Sequence, residues 1–118
     1  MKRTRVIQIV VISLLLLLPA TSSAKESWIK IKSKNFTVIG NTSEGDIRKL
    51  ATNLEEFRHV LSLLFPKAQI ETPVPTTVFL FKNHSSFKPF KPQYKGKTRD
   101  NVAGYFMASP DGNYIALT

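Results

Sequence analysis

Cysteine is absent from the 118 residues, which excludes a disulfide framework, thiolate metal ligands and a lipid-attachment cysteine behind an export signal. Histidine is nearly as scarce. His59 and His84 stand far apart, without a second His or Cys at ligand spacing. A zinc site needs three or four ligands, and the helical pair of histidines four residues apart with Glu between them is missing. The serines and threonines have no Gly-x-Ser-x-Gly elbow around them. Adjacent carboxylates occur at Glu55 and Glu56, which point in different directions on a helix and are expected on its solvated face. No complete catalytic constellation is present. Acidic residues are also few, 8 against 17 Lys and Arg, for a formal charge of +9.

The first 24 residues are set apart from the rest. Lys2, Arg3 and Arg5 precede an apolar run from Val6 to Leu18, and Ser22 and Ala24 supply the small residues of a cleavage site. This pattern predicts a signal peptide over 1–24 and places the remainder, 25–118, in the periplasm or outside the cell, with membrane contact only during export. The alternative, an uncleaved anchor, meets the difficulty that the apolar run is shorter than the roughly 20 residues a bilayer requires. Loss of the three leader cations lowers the charge to +6, a balance that permits polyanion contact without demanding it. The length of 25–118 fits one small domain. Its last strand-like run, Asn113 to Thr118, has no polar closing residues, and the expectation is a domain that continues further.

The longest periodic stretch is Ser43 to Phe65. Ile47, Leu50, Leu54, Phe57, Leu61 and Leu64 recur at spacings of three and four, which places them on one stripe of an amphipathic helix. Ser43 and Asp46 have capping-box spacing, and Pro66 stops the helix. Trp28 to Lys32 and Phe36 to Ile39 read as two short strands, or one strand with a bend, closed by Gly40 and Asn41. Thr76 to Phe81 is the most strand-prone run, and its continuous apolarity predicts a central strand covered on both faces. Asn83 to Phe90 suggests a short helical turn that Pro89 ends, and Lys91 to Asp100 a polar surface loop. Val102 to Ala108 and Tyr114 to Leu117, joined through Ser109-Pro-Asp-Gly-Asn113, predict a hairpin, with Pro110 preset for the second turn position and Gly112 able to take positive φ. The fold class expected is therefore α+β: a small mixed or antiparallel sheet, one long amphipathic helix packed on one face, and a C-terminal β-hairpin.

Two candidate sites emerge. In Phe87 to Arg99, Lys88, Lys91, Lys95, Lys97 and Arg99 are interleaved with Phe87, Phe90 and Tyr94. Cations and stacking rings are the ingredients of polyanion binding, so Lys88, Lys91, Tyr94, Lys95, Lys97 and Arg99 are candidate contacts for an acidic cell-envelope polymer. Nucleic acid is not an expected partner of an exported chain. The plainer account has Phe87 and Phe90 anchoring the loop while the lysines keep it soluble. Asn35, Asn41 and Asn83 match a glycosylation pattern too short to carry a role.

The second candidate comes from a resemblance. The ordered segments Trp28-Ile-Lys-Ile-Lys-Ser33-Lys-Asn35-Phe36, Leu54-Glu-Glu-Phe57-Arg58, Leu64-Phe-Pro66, Pro75-Thr-Thr-Val-Phe-Leu-Phe81, Phe87-Lys-Pro-Phe90, Gly104-Tyr-Phe106 and Asp111-Gly-Asn-Tyr114-Ile-Ala-Leu117 resemble the N-terminal region of secreted bacterial gluzincin-like proteins of the peptidase-MA-like group, many of them domains of unknown function. In that family a zinc-binding His-Glu-x-x-His helix follows the hairpin, and no residue of this chain matches it. The resemblance implies a non-catalytic α/β subdomain, with zinc only in a full-length homologue. Its partners would be a peptide substrate and the missing C-terminal part. Val102, Gly104, Tyr105, Phe106 and Tyr114 are then the expected wall of a substrate groove.

Overall fold

The computed structural model describes residues 25–70 and 74–118; the expected signal peptide, 1–24, lies outside them. None of the described helices is long and apolar enough to cross a membrane. The chain begins with two antiparallel strands, β1 (Ile29–Lys32) and β2 (Phe36–Gly40). Alternation decides their faces: Ile29 and Ile31 pack against the core, while Lys30 and Lys32 stand exposed on the other side.

Helix α1 (Glu44–Leu64) follows at once. The Ser43 hydroxyl accepts from the Asp46 N–H at 3.1 Å and donates to Asp46 Oδ2 at 2.7 Å, which satisfies an otherwise orphaned first-turn donor. At the far end the Phe65 N–H returns to the Leu61 carbonyl at 2.9 Å, and Pro66 prevents a further turn. The next strand, β3 (Thr76–Leu80), leads into a single capped helical turn, α2 (His84–Phe87), and a 3-10 turn over Lys88–Phe90. Pro89 sits inside that 3-10 turn instead of ending the helix; an early position needs no N–H from it.

Residues 91–100, expected as a plain loop, contain a miniature hairpin of β4 (Gln93–Tyr94) and β5 (Lys97–Thr98). Lys95 at φ 50° and Gly96 at φ 74° form its two-residue turn, the left-handed pair that matches strand twist. Too few strand residues flank this turn to show periodicity. The chain then forms β6 (Gly104–Ser109) and β7 (Gly112–Leu117). Gly112 pairs with Ser109 as the first residue of β7; among the described residues the glycine at positive φ is Gly96.

The five long strands make one sheet in the order β1, β2, β3, β7, β6. Strands β2, β3 and β7 are parallel at the centre; β1 and β6 are antiparallel edges. This is the expected α+β fold with a mixed sheet, one long helix and a C-terminal hairpin. Val38, Ile47 and Val78 are completely buried where α1 meets the sheet. Gly40 allows that approach: a Cβ there would lie 2.8 Å from the Leu80 carbonyl oxygen and 3.2 Å from Ile47 Cδ1.

Two expectations need correction. In α1 the inner line runs through Ile47, Ala51 and Leu54, whereas Phe57 and Leu64 remain 63% and 66% exposed. The helix packs on β1 and β2. Its 21 residues extend about 31 Å, beyond the reach of strands of four or five residues, so its last turns overhang the sheet. Strand β3 is central, but cover is unequal: Val78 is fully buried toward α1, while Phe79 on the opposite face is only half-buried.

Candidate functional site

The first candidate region is the outer edge of β6. Thr118 donates its N–H to the Ala103 carbonyl at 3.1 Å, which fixes the phase of the antiparallel ladder. Every second residue from Ala103, namely Tyr105, Met107 and Ser109, exchanges bonds with β7, and the backbone groups of Gly104, Phe106 and Ala108 point outward. No strand pairs with that side among the described residues. Phe106 and Met107 are exposed along it.

The expected groove-wall residues do not share one surface. Val102 precedes β6, and Gly104, Tyr105 and Phe106 lie on the edge strand. Tyr114 belongs to β7, an inner strand between β3 and β6. Tyr105 and Tyr114 face the side away from α1, with Ala116, whereas Phe106 pairs with Ile115 on the helix side.

The basic loop is also divided. Lys88, Lys95, Lys97 and Arg99 are exposed. Tyr94 is exposed too, with Arg99 Cζ 4.8 Å and Lys95 Nζ 5.5 Å from its ring centre. Lys91 departs from the expectation: it is only 4% exposed. Its ammonium donates to the Asp100 carbonyl at 2.7 Å and reaches the His84 ring, 2.7 Å from Nε2, while lying over Phe87. A buried ammonium must have its donors satisfied internally, so Lys91 fastens the loop and is withdrawn from any polyanion surface. Phe87 anchors the loop, as the plainer account expected: it is fully buried and stacks on Tyr105 with ring centres 6.1 Å apart.

A third region was not singled out in the sequence. The sheet face away from α1 carries an open apolar cavity of about 370 Å³, lined by Trp28, Ile39, Phe79, Phe81, Phe90, Tyr105 and Ala116. Phe81 organises its upper end, with Trp28 edge-on at 5.5 Å and Phe90 tilted at 5.0 Å. The Tyr105 hydroxyl donates to the Phe90 carbonyl at 2.8 Å, which leaves the floor without that polar group. The available signal was the period-two placement of Ile39 and Phe79, masked in β3 by apolar residues on both faces.

Beside α1 lies a polar cleft bordered by Glu55, Arg58 and His59. Glu55 is not simply solvated like Glu56. Its carboxylate accepts from the Ser33 hydroxyl at 2.6 Å, the Asn35 N–H at 2.7 Å and the Asn35 side-chain amide at 2.6 Å, clamping α1 to the β1–β2 turn. Partial burial alone would raise its pKa, but those three bonds and the nearby Arg58 charge outweigh it and hold the group below the ordinary glutamate value. A depressed folded-state pKa contributes stability above the unfolded value, about 4.3, and loses it as pH falls through the folded one. Glu55→Gln is therefore expected to destabilise the protein at pH 7 and to flatten the acid limb of its stability curve below about pH 5, as read by urea unfolding across pH. A variant with the wild-type acid limb would refute the clamp.

Among the described residues no three His, Cys, Asp or Glu side chains converge to hold a metal ion. No protein-family model, no curated protein and no solved structure matches this chain.

Proposed function

We propose that residues 25–118 form a non-catalytic scaffold and substrate-groove wall of an exported zinc-metallopeptidase-like protein, in which the outer edge of β6 holds an extended peptide. The observation that carries this reading is the free antiparallel edge, with the backbone groups of Gly104, Phe106 and Ala108 directed away from β7. An unpaired edge recognises extended chain through main-chain hydrogen bonds, and alternate side-chain pockets add selectivity. Phe106 and Met107, on opposite faces of that edge, offer apolar contact to successive peptide side chains.

The test follows from ladder phase. A six-residue peptide of alternating Val and Thr is expected to slow hydrogen exchange at the Gly104, Phe106 and Ala108 amides. Ala108→Pro removes one outward donor while leaving the bonds to β7 in place, a substitution edge strands tolerate. It is expected to weaken peptide binding roughly tenfold, the equivalent of about 1.4 kcal/mol, with folding retained by circular dichroism. Unchanged exchange at those amides under saturating peptide would refute the proposal.

A further inference from the structure

We infer that the apolar groove on the sheet face away from α1 binds a single fatty-acyl chain bearing a carboxylate, with the chain on the aromatic floor and the head group over the lysines of β1. The inference is independent of peptide binding at the β6 edge. The groove has the size of a small-molecule site, about 370 Å³. Its lining offers rings and aliphatic side chains from Ile39, Phe79, Phe90, Tyr105 and Ala116. A sugar ring or a base buried on that floor would lose water with few hydrogen bonds to gain, since the Tyr105 hydroxyl is already committed to the Phe90 carbonyl and the Trp28 indole N–H is the one other side-chain donor among the lining residues. A methylene chain meets no such penalty, and every CH₂ it buries leaves water favourably.

The charge of the ligand is set by what surrounds the groove. Lys30 lies directly across from Ile39, and Lys32 across from Thr37, so both lysines share the groove's face of the sheet. They are exposed and make no ion pair among those found in the described residues. None of the five strands of the sheet contains Asp or Glu. Glu26, near Trp28 in sequence, is tied to Lys82 at 2.9 Å. An anionic head group at the β1 side of the groove therefore finds two cations and no opposing carboxylate, a complementarity that favours a fatty-acid anion over a neutral chain.

Trp28 is the chain's sole tryptophan and lies at the groove's rim, 44% exposed, so its emission reports occupancy. Titrating the full chain with sodium laurate below its micelle-forming concentration is expected to give a saturable blue shift. Lys30→Glu combined with Lys32→Glu should weaken binding about tenfold or more at low salt and reverse its salt dependence, so that added salt restores part of the loss. Phe90→Ala, at an exposed position, should weaken it several-fold, and Phe57→Ser on the opposite side should leave it unchanged. Dodecanol at equal concentration should bind more weakly than laurate. The inference is overturned by any of three results: no saturable shift, a shift insensitive to both groove variants (which would place laurate on the apolar leader), or a response to anionic vesicles alone.

Discussion

Replacement of Ile47 by Ala is expected to lower the unfolding free energy by about 2–5 kcal/mol, read from urea denaturation at neutral pH. Ile47 is completely buried, and its side chain fills the space left by Gly40 between α1 and β2. Truncation leaves a cavity bounded by Val38, Ala51 and Val78, and strands locked on both sides in the sheet cannot move in to close it. For a small domain with a total stability of about 5–15 kcal/mol, that loss is a large fraction. Phe57→Ala supplies the contrast. Helical periodicity places Phe57 on the same apolar stripe, but it is 63% exposed, so the expected change is about 0.5 kcal/mol or less. Equal losses at the two positions would mean that α1 is rotated about its axis.

The second large effect is expected at Phe87. This ring is completely buried beneath the other end of the sheet, with Phe81 at 5.2 Å and Tyr105 stacked at 6.1 Å. Phe87→Ala should cost about 3–5 kcal/mol. Its removal also deprives the Lys91 ammonium of the ring beneath it, so the loop from Lys91 to Arg99 should become accessible to trypsin at lower protease concentrations. Phe87→Leu keeps most of the apolar volume and should recover more than half of the lost stability. A Phe87→Ala variant that unfolds at the wild-type urea midpoint would show that the second cluster adds nothing to the cooperative core.

Most of the fold was legible because long elements carry repeated signals. Ser43, Asp46 and Pro66 bracketed α1 through backbone chemistry that tertiary context does not override. The strand-prone runs of β1, β2 and β3 stood out by composition and by the Gly and Asn residues that close them. The errors lie where a local pattern cannot report which surface an element meets. Phe57 and Leu64 share a helical stripe with Ile47, but a stripe records only direction about the axis, while the short strands beneath determine how much of it is covered. Lys91 looked like its neighbouring lysines because the His84 ring and Asp100 carbonyl that enclose it are brought together by the loop. The aromatic groove was hidden for a related reason. Trp28, Ile39, Phe79, Phe90 and Tyr105 come from five separate segments, and none carries a motif alone.

The parallel centre of the sheet also sets an order of events during folding. The β6–β7 hairpin closes through a two-residue turn and can form within about 1–10 μs. Strand β3 has no such local partner. It must wait for β2 across the whole of α1 and for β7 across the α2 and β4–β5 segments, with Thr76 meeting Phe36 on one side and Asn113 on the other. Such nonlocal pairings impose loop-closure entropy before they return any contact energy. The run Thr76 to Leu80, the most strand-prone of the chain, thus remains unpaired longest. During that interval its unpaired edges are open to pairing with another copy of the chain, which the finished sheet prevents by enclosing β3 between β2 and β7.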